Sequence, residues 1–343
     1  MSSTNFDFSA VGISNGNFFG FPYTIAESSI VLLPVPWDVT TSYGGGASKG
    51  PKAILDASVQ LDFYDFDVPD AAYIGVGTIP INKNWQQLSQ HFRAKAKLII
   101  DCLESGNELS EELKGFQGEI NEACIDLNKQ VYKQTKQLLA QNKLVGLVGG
   151  DHSTPLGYMR AISEKHEQVG ILQIDAHADL RKSYEGFDYS HASIMYNALK
   201  LPGISTIVQV GVRDLCEDEM EIIKQDKRVV LFDDYAIKQQ AFKGVTWHQQ
   251  CKDIIAALPN NIYISFDIDG LSPELCPNTG TPVPGGLSFN EAIYLVKSIA
   301  EAGKTIVGFD LNEVSPGNDE WDANVGARLL YKLCNLMHVS QGK

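Results

Sequence analysis

Apolar residues along this chain fall into short unbroken runs separated by longer amphipathic stretches. The runs are Ser29-Ile-Val-Leu-Leu-Pro34, the segment from Leu144 to Gly149, Gly170-Ile-Leu-Gln-Ile174, Thr206-Ile-Val-Gln-Val-Gly-Val212, Arg228-Val-Val-Leu-Phe232, Asn261-Ile-Tyr-Ile-Ser-Phe266 and Lys304-Thr-Ile-Val-Gly-Phe-Asp310. Their β-branched and aliphatic content, without polar alternation, predicts strands buried on both faces. Between them, helical spacing predicts helices over Lys52–Ala57, Glu119–Gln141, His191–Leu199, Glu217–Gln225, Ser288–Glu301 and Val325–Met337, with others beginning near Thr154 and near His248. Gly50-Pro51 places proline at the favoured first position of the first of these helices. Strands alternating with helices predict an α/β fold, a mostly parallel sheet covered on both sides.

No linker composition or internal repeat interrupts this rhythm, so one domain is expected over 1–343, with residues 1–27 as an N-terminal extension. Residues from about 80 to 118 are the least regular, two polar stretches around a short helical segment from His91 to Leu103. They read as an irregular excursion from the core, at a possible oligomer contact.

Chemistry concentrates where the runs end. The run at Ile171 leads into Asp175-Ala-His-Ala-Asp179, the run at Ile262 into Asp267-Ile-Asp269, and the run at Val145 into Gly149-Gly-Asp-His152. In an extended segment Asp175, His177 and Asp179 share one face. Taken alone, an Asp-x-Asp after a strand is commonly a turn with a helix cap, and a Gly-Gly-Asp-His is commonly a tight turn. Together the three put two histidines and at least four carboxylates at the carboxyl ends of parallel strands, where such sheets bind ligands. That points to a pair of divalent ions, and oxygen-rich ligation without thiolate suits manganese better than zinc, with nickel or cobalt compatible with the same ligands. Two bridged ions lower the pKa of a shared water and hold hydroxide at neutral pH. His191 lies a short loop beyond Asp179 and can shuttle protons or simply cap the next helix. Glu313, after the last strand, can pair with a planar cation or sit idle in a loop.

Charge narrows the partners. Lys+Arg 28 against Asp+Glu 42 gives −14, which argues against nucleic acid and anionic membranes and favours a cationic substrate. The six cysteines are scattered without a Cys-x-x-Cys pair and read as core residues in a reducing compartment. Without a signal-like N-terminus or a membrane-length apolar run, a cytoplasmic protein is expected.

Gly149-Gly-Asp-His152, Asp175-Ala-His-Ala-Asp179, Ser265-Phe-Asp-Ile-Asp269 and Gly308-Phe-Asp-Leu-Asn-Glu313 resemble the four signatures of the ureohydrolase (arginase, agmatinase and formiminoglutamase) superfamily, in order and spacing, from about 28 to 337. The resemblance implies a three-layer α/β/α fold and a binuclear manganese centre that hydrolyses guanidino or formimino groups. It places one ion on His152, Asp175, Asp179 and Asp267, and the other on Asp175, His177, Asp267 and Asp269, with Asp175 and Asp267 bridging. It makes Asp269 the residue that orients the hydroxide, His191 the proton carrier and Glu313 the guanidinium partner. It also implies a homo-oligomer, a trimer or hexamer.

Within the superfamily, the segment from Asp179 to Ser193 and Thr279-Gly-Thr-Pro-Val-Pro-Gly-Gly-Leu287 are most similar to prokaryotic agmatinases, which implies conversion of agmatine to putrescine and urea. Pro36-Trp-Asp38 and Tyr43-Gly-Gly-Gly46 are expected at the rim. Arg181 stands where arginases carry an Asn. Formiminoglutamases also place Arg in this loop, so a formiminoglutamase or a guanidino-acid hydrolase is the alternative, with Arg181 binding a substrate carboxylate. Tyr196-Asn-Ala departs from the basic residues that similar agmatinases often show. A catalytically silent metal-binding regulator is the reading from another class, and the completeness of the ligand set, His191 and Glu313 argues against it.

Overall fold

The computed structural model describes residues 6–342. Eight strands form one sheet: β1 Ile30–Val35, β2 Val76–Thr78, β3 Leu144–Gly149, β4 Val169–Ile174, β5 Ile204–Val210, β6 Val229–Phe232, β7 Asn261–Asp267 and β8 Thr305–Asn312. Their order is β2-β1-β3-β8-β7-β4-β5-β6, and every pairing is parallel. The helices are α1 Gly50–Ser58, α2 Lys83–Glu104, α3 Glu111–Ala140, α4 Leu156–Lys165, α5 Ile194–Ala198, α6 Glu217–Gln225, α7 Asp234–Phe242, α8 Trp247–Ala256, α9 Phe289–Glu301 and α10 Trp321–Val339.

Strand side chains alternate between two apolar clusters, which is what makes three layers. Ile30 and Leu32 of β1 and Leu172 and Ile174 of β4 pack toward α1, α8, α9 and α10. Val31, Leu33, Val35, Val169 and Ile171 pack on the other face toward α2, α3, α4 and α5. The expected three-layer α/β/α architecture is therefore present. Among the described residues no helix is long and apolar enough to cross a membrane.

Three expectations are corrected. The region from about 80 to 118 is not irregular: it holds all of α2 and the first turns of α3. Its polar composition hides a narrow buried stripe of Trp85, Ser89, Ala96, Ile99 and Ile100, two of them too small or polar to read as core. The side chain of Asn82 accepts from the Asn84 and Trp85 amides to start α2, and Ser110 accepts from Leu113 to start α3. Trp37, expected at the rim, is buried in the core beside Phe92.

Residues 6–27 are also more than an extension, while 1–5 of that segment lie outside the described residues. Phe18, Phe19 and Phe21 are fully buried, with Phe21 4.7 Å from Phe63 and Phe19 5.3 Å from Tyr331, ring centre to ring centre. Phe21→Ala should therefore cost about 3–5 kcal/mol. Chemical denaturation checks this, and a loss under 1 kcal/mol would return the segment to a dispensable extension.

Candidate metal centre and active site

The sheet order makes β3, β8, β7 and β4 neighbours at its middle, so four sequence motifs far apart in the chain end side by side. His152 follows β3, Asp267 ends β7, Asp269 sits in the turn beyond it, and Asp175 follows β4. All are nearly inaccessible.

His152 Nδ1 lies 3.0 Å from Asp175 Oδ2, 3.0 Å from Asp179 Oδ2 and 3.4 Å from Asp267 Oδ2. Yet it makes no hydrogen bond. The opposite nitrogen, Nε2, is 2.8 Å from Ser265 Oγ, which donates to Asp310 Oδ1 at 3.1 Å. With its own proton committed to Asp310, Ser265 accepts from Nε2–H, and the Nδ1 lone pair faces three carboxylate oxygens. Donor atoms held at right angles about one small divalent ion at ~2.1 Å stand roughly 3 Å apart. The orphaned lone pair and the carboxylates therefore fit a shared cation.

A second group adjoins the first. His177 Nδ1 is 3.1 Å from Asp269 Oδ2 and 3.6 Å from Asp175 Oδ1. Asp175 thus offers one oxygen to each group, as a bridging residue would. Asp267 offers Oδ2 to the first, while its Oδ1 accepts from the Asp269 amide at 2.9 Å. Two sets, His152–Asp175–Asp267 and Asp175–His177–Asp269, have ligand atoms close enough to share an ion. Main-chain N–H groups aim the carboxylates: His177 N–H donates to Asp175 Oδ1 at 2.7 Å and Ala176 N–H to Asp269 Oδ1 at 3.1 Å.

Electrostatics call for the same cations. Burial, then repulsion from Asp175, pushes the Asp179 carboxyl up to about 7, and burial with Asp269 and Asp175 raises Asp267 as well. Burial works to lower His177, but Asp269 and Asp175 outweigh it and lift the ring to about 12. Such a crowd of acids must be relieved, either by bound protons or by positive charge placed among them.

The expected extended geometry of Asp175, His177 and Asp179 is not what brings them together. β4 stops at Ile174, and Asp179 adopts the left-handed conformation with φ 53°. A turn, not a strand face, returns the Asp179 carboxylate to His152, and Glu219 helps to hold it by accepting from the Leu180 amide at 3.0 Å. Sequence reasoning missed Glu219, although Cys216 to Glu219 at the start of α6 has the spacing of a capping box.

His191 lies between two loops. Its N–H donates to Thr40 Oγ1 at 3.2 Å, Nε2 is 3.4 Å from Ser42 Oγ, and Nδ1 is 3.8 Å from Glu313 Oε1. Burial foremost, with cationic neighbours such as Arg93 adding to it, lowers it to about 3, so the ring is neutral near pH 7. Glu313, at φ 61°, is buried. Its Oε1 accepts from the His152 amide at 2.9 Å, and its Oε2 has no partner. Burial, then Asp151, raises its pKa. A buried acceptor left open in this way suits a planar cationic donor.

A cleft of about 150 Å³ opens onto His177, Asp179 and His191, with Ser42, Tyr43 and Thr281 at its edge. Arg181 lies along its wall. The guanidinium carbon is 4.6 Å from the centre of the Tyr184 ring, and Nε is 3.8 Å from Glu219 Oε2.

The Arginase family model matches residues 28–335. The N(1)-aminopropylagmatine ureohydrolase of Thermus thermophilus is 30% identical over 316 residues, 92% of each chain. The agmatinase of Bacillus cereus is 26% identical over 301 residues, 86% of this chain and 87% of that one. Among solved structures, the agmatine ureohydrolase of Thermoplasma volcanium superposes with a TM-score of 0.72 at 23% identity, over 99% of this chain and 97% of that one, and so shares the fold.

Proposed function

This chain belongs to the arginase family of hydrolases, and we propose that its substrate is a guanidine carrying a cationic amine tail, agmatine or its aminopropyl derivative. The observation that carries this is the state of Arg181. Its charge is met by the buried Glu219 and spread over Tyr184, while the exposed Asp214 carboxylate stays at the cleft wall. A tail amine entering there meets net negative charge. The relatives named for agmatine and for N(1)-aminopropylagmatine support the same class.

His152, Asp175, Asp179 and Asp267 would hold one divalent ion, and Asp175, His177 and Asp269 the other, manganese by the chemistry of the donors. When bound, the pair supplies Lewis acidity and lowers the pKa of water to near neutrality. Glu313 Oε2, the open oxygen, accepts a charge-assisted hydrogen bond from the guanidinium and presents its carbon to the water. Water adds to that carbon, the bond to the tail nitrogen breaks, and urea and the free amine result. His191 Nδ1, neutral and 3.8 Å from Glu313, takes a proton and returns it to the departing nitrogen.

A guanidino acid or formiminoglutamate is the second reading, favoured by the presence of Arg181 in the cleft at all. Arg181→Ala separates the two. On agmatine and N(1)-aminopropylagmatine, kcat/KM should stay level or rise up to about fivefold as a like charge leaves the tail's path. A loss of 10-fold or more on guanidinobutyrate or formiminoglutamate, with those as the wild-type substrates, would overturn the amine-tail reading.

A further inference from the structure

We propose that the α2–α3 hairpin is a clamp that positions His191, with Arg93 gripping one flanking loop and Asn121 the other. The inference rests on the reading of His191 as the proton carrier. It gives the polar region from about 80 to 118 a role in the chemistry, without contact with substrate.

The first loop runs from Trp37 to Ser48. Arg93, on α2, donates through Nη1 to the Val39 carbonyl at 3.2 Å and to the Thr41 carbonyl. One turn earlier, Ser89 Oγ donates to Asp38 Oδ1 and accepts from the Asp38 amide, both at 3.1 Å. Asp38 Oδ2 in turn accepts from the amides of Gly46 (3.0 Å) and Ser48 (3.2 Å), closing the loop on itself. Between those anchors stand Thr40 and Ser42, the two residues whose hydroxyls meet the main chain and ring of His191. The guanidinium therefore fixes both neighbours of the residue that fixes His191.

The second loop is the one that carries His191 itself. Asn121, on α3, donates from Nδ2 to the Gly186 carbonyl at 3.3 Å and accepts from the Asp188 amide at 3.0 Å. Gly186 is left-handed, φ 78°, and packs so closely on Gln117 that a Cβ there would lie 1.7 Å from its amide nitrogen. A side chain there would have to displace the end of Gln117, and the left-handed backbone itself favours glycine. The two helices thus hold the two loops from one side, and the His191 ring lies where those loops meet. A rigid support of this kind matters because a misplacement of about 1 Å costs on the order of 100-fold in rate.

The test pairs Arg93→Ala with His191→Ala in the manganese-loaded protein. Arg93→Ala should lower kcat about 10-fold or more with KM changed less than about threefold, and manganese content should be unchanged. In the His191→Ala background the same substitution should cost nothing further, because the effect travels through His191. Arg93→Lys, which keeps a cationic donor, should restore most of kcat. Losses that multiply would make Arg93 a general stabiliser and overturn the clamp. Hydrogen exchange read by mass spectrometry decides the matter without turnover. Amides of 39–46 should exchange at least about 10-fold faster in Arg93→Ala, with those of β3 and β4 unchanged. Unaltered exchange there would also overturn the clamp. If the wild type hydrolyses no guanidine, the functional reading fails and the exchange result alone judges the clamp. If Arg93→Ala does not fold, Asn121→Ala, with amides 185–189 monitored, takes its place.

Discussion

Asp175→Ala is expected to abolish turnover, by at least about 10³-fold in kcat/KM, and to remove both metal-binding groups together. Asp175 gives one carboxylate oxygen to each group: Oδ2 stands 3.0 Å from His152 Nδ1 and Oδ1 stands 3.6 Å from His177 Nδ1. Removing it also takes the acceptor from Gln173 and from the His177 amide, so the turn after β4 loses its anchor. Stability reports this independently of activity. A ligand at 100 times its Kd stabilises a protein by about 2.7 kcal/mol, so manganese should raise the Tm of the wild type and leave that of Asp175→Ala almost unmoved. A variant that still gains stability from manganese would show that the ions lie elsewhere.

Glu313→Gln should cost about 10²–10³-fold in kcat/KM while leaving metal content and Tm unchanged. The amide oxygen can still accept from the His152 N–H, so the local fold keeps its bond. The other position changes from an open acceptor to a donor aimed at a cationic donor. Losing one partner of a buried charged hydrogen bond costs about 2–5 kcal/mol. Calorimetric metal binding beside steady-state rates checks both halves. Full activity in Glu313→Gln would remove it from guanidinium recognition.

Much of this architecture is legible in the chain, for definite reasons. Strands buried on both faces need no polar alternation, so β1, β3, β4, β7 and β8 stand out as apolar runs. Helix α6 follows from its acidic first turn. Strand β2 does not, since Val-Gly-Thr at a sheet edge carries almost no pattern. Helix α7 also escaped, being short with Tyr235 and Phe242 exposed, so that no apolar face marks it.

The candidate ligands were legible because each motif is contiguous and the parallel order sets strand ends side by side. How they converge was not. The left-handed turn at Asp179 is a local departure that alternation cannot foresee. The support of His191 is out of reach for another reason: its bond to Thr40 spans 151 positions, and only tertiary packing brings the two together.

The most direct test of a two-ion guanidine hydrolase is a metal titration of the chelated protein, with urea release from agmatine and from N(1)-aminopropylagmatine followed at each step. The account predicts no urea without metal and a rate that rises until two equivalents of manganese per chain are bound. Urea formed by the metal-free protein, full activity at one equivalent, or two bound equivalents with neither substrate hydrolysed would contradict it.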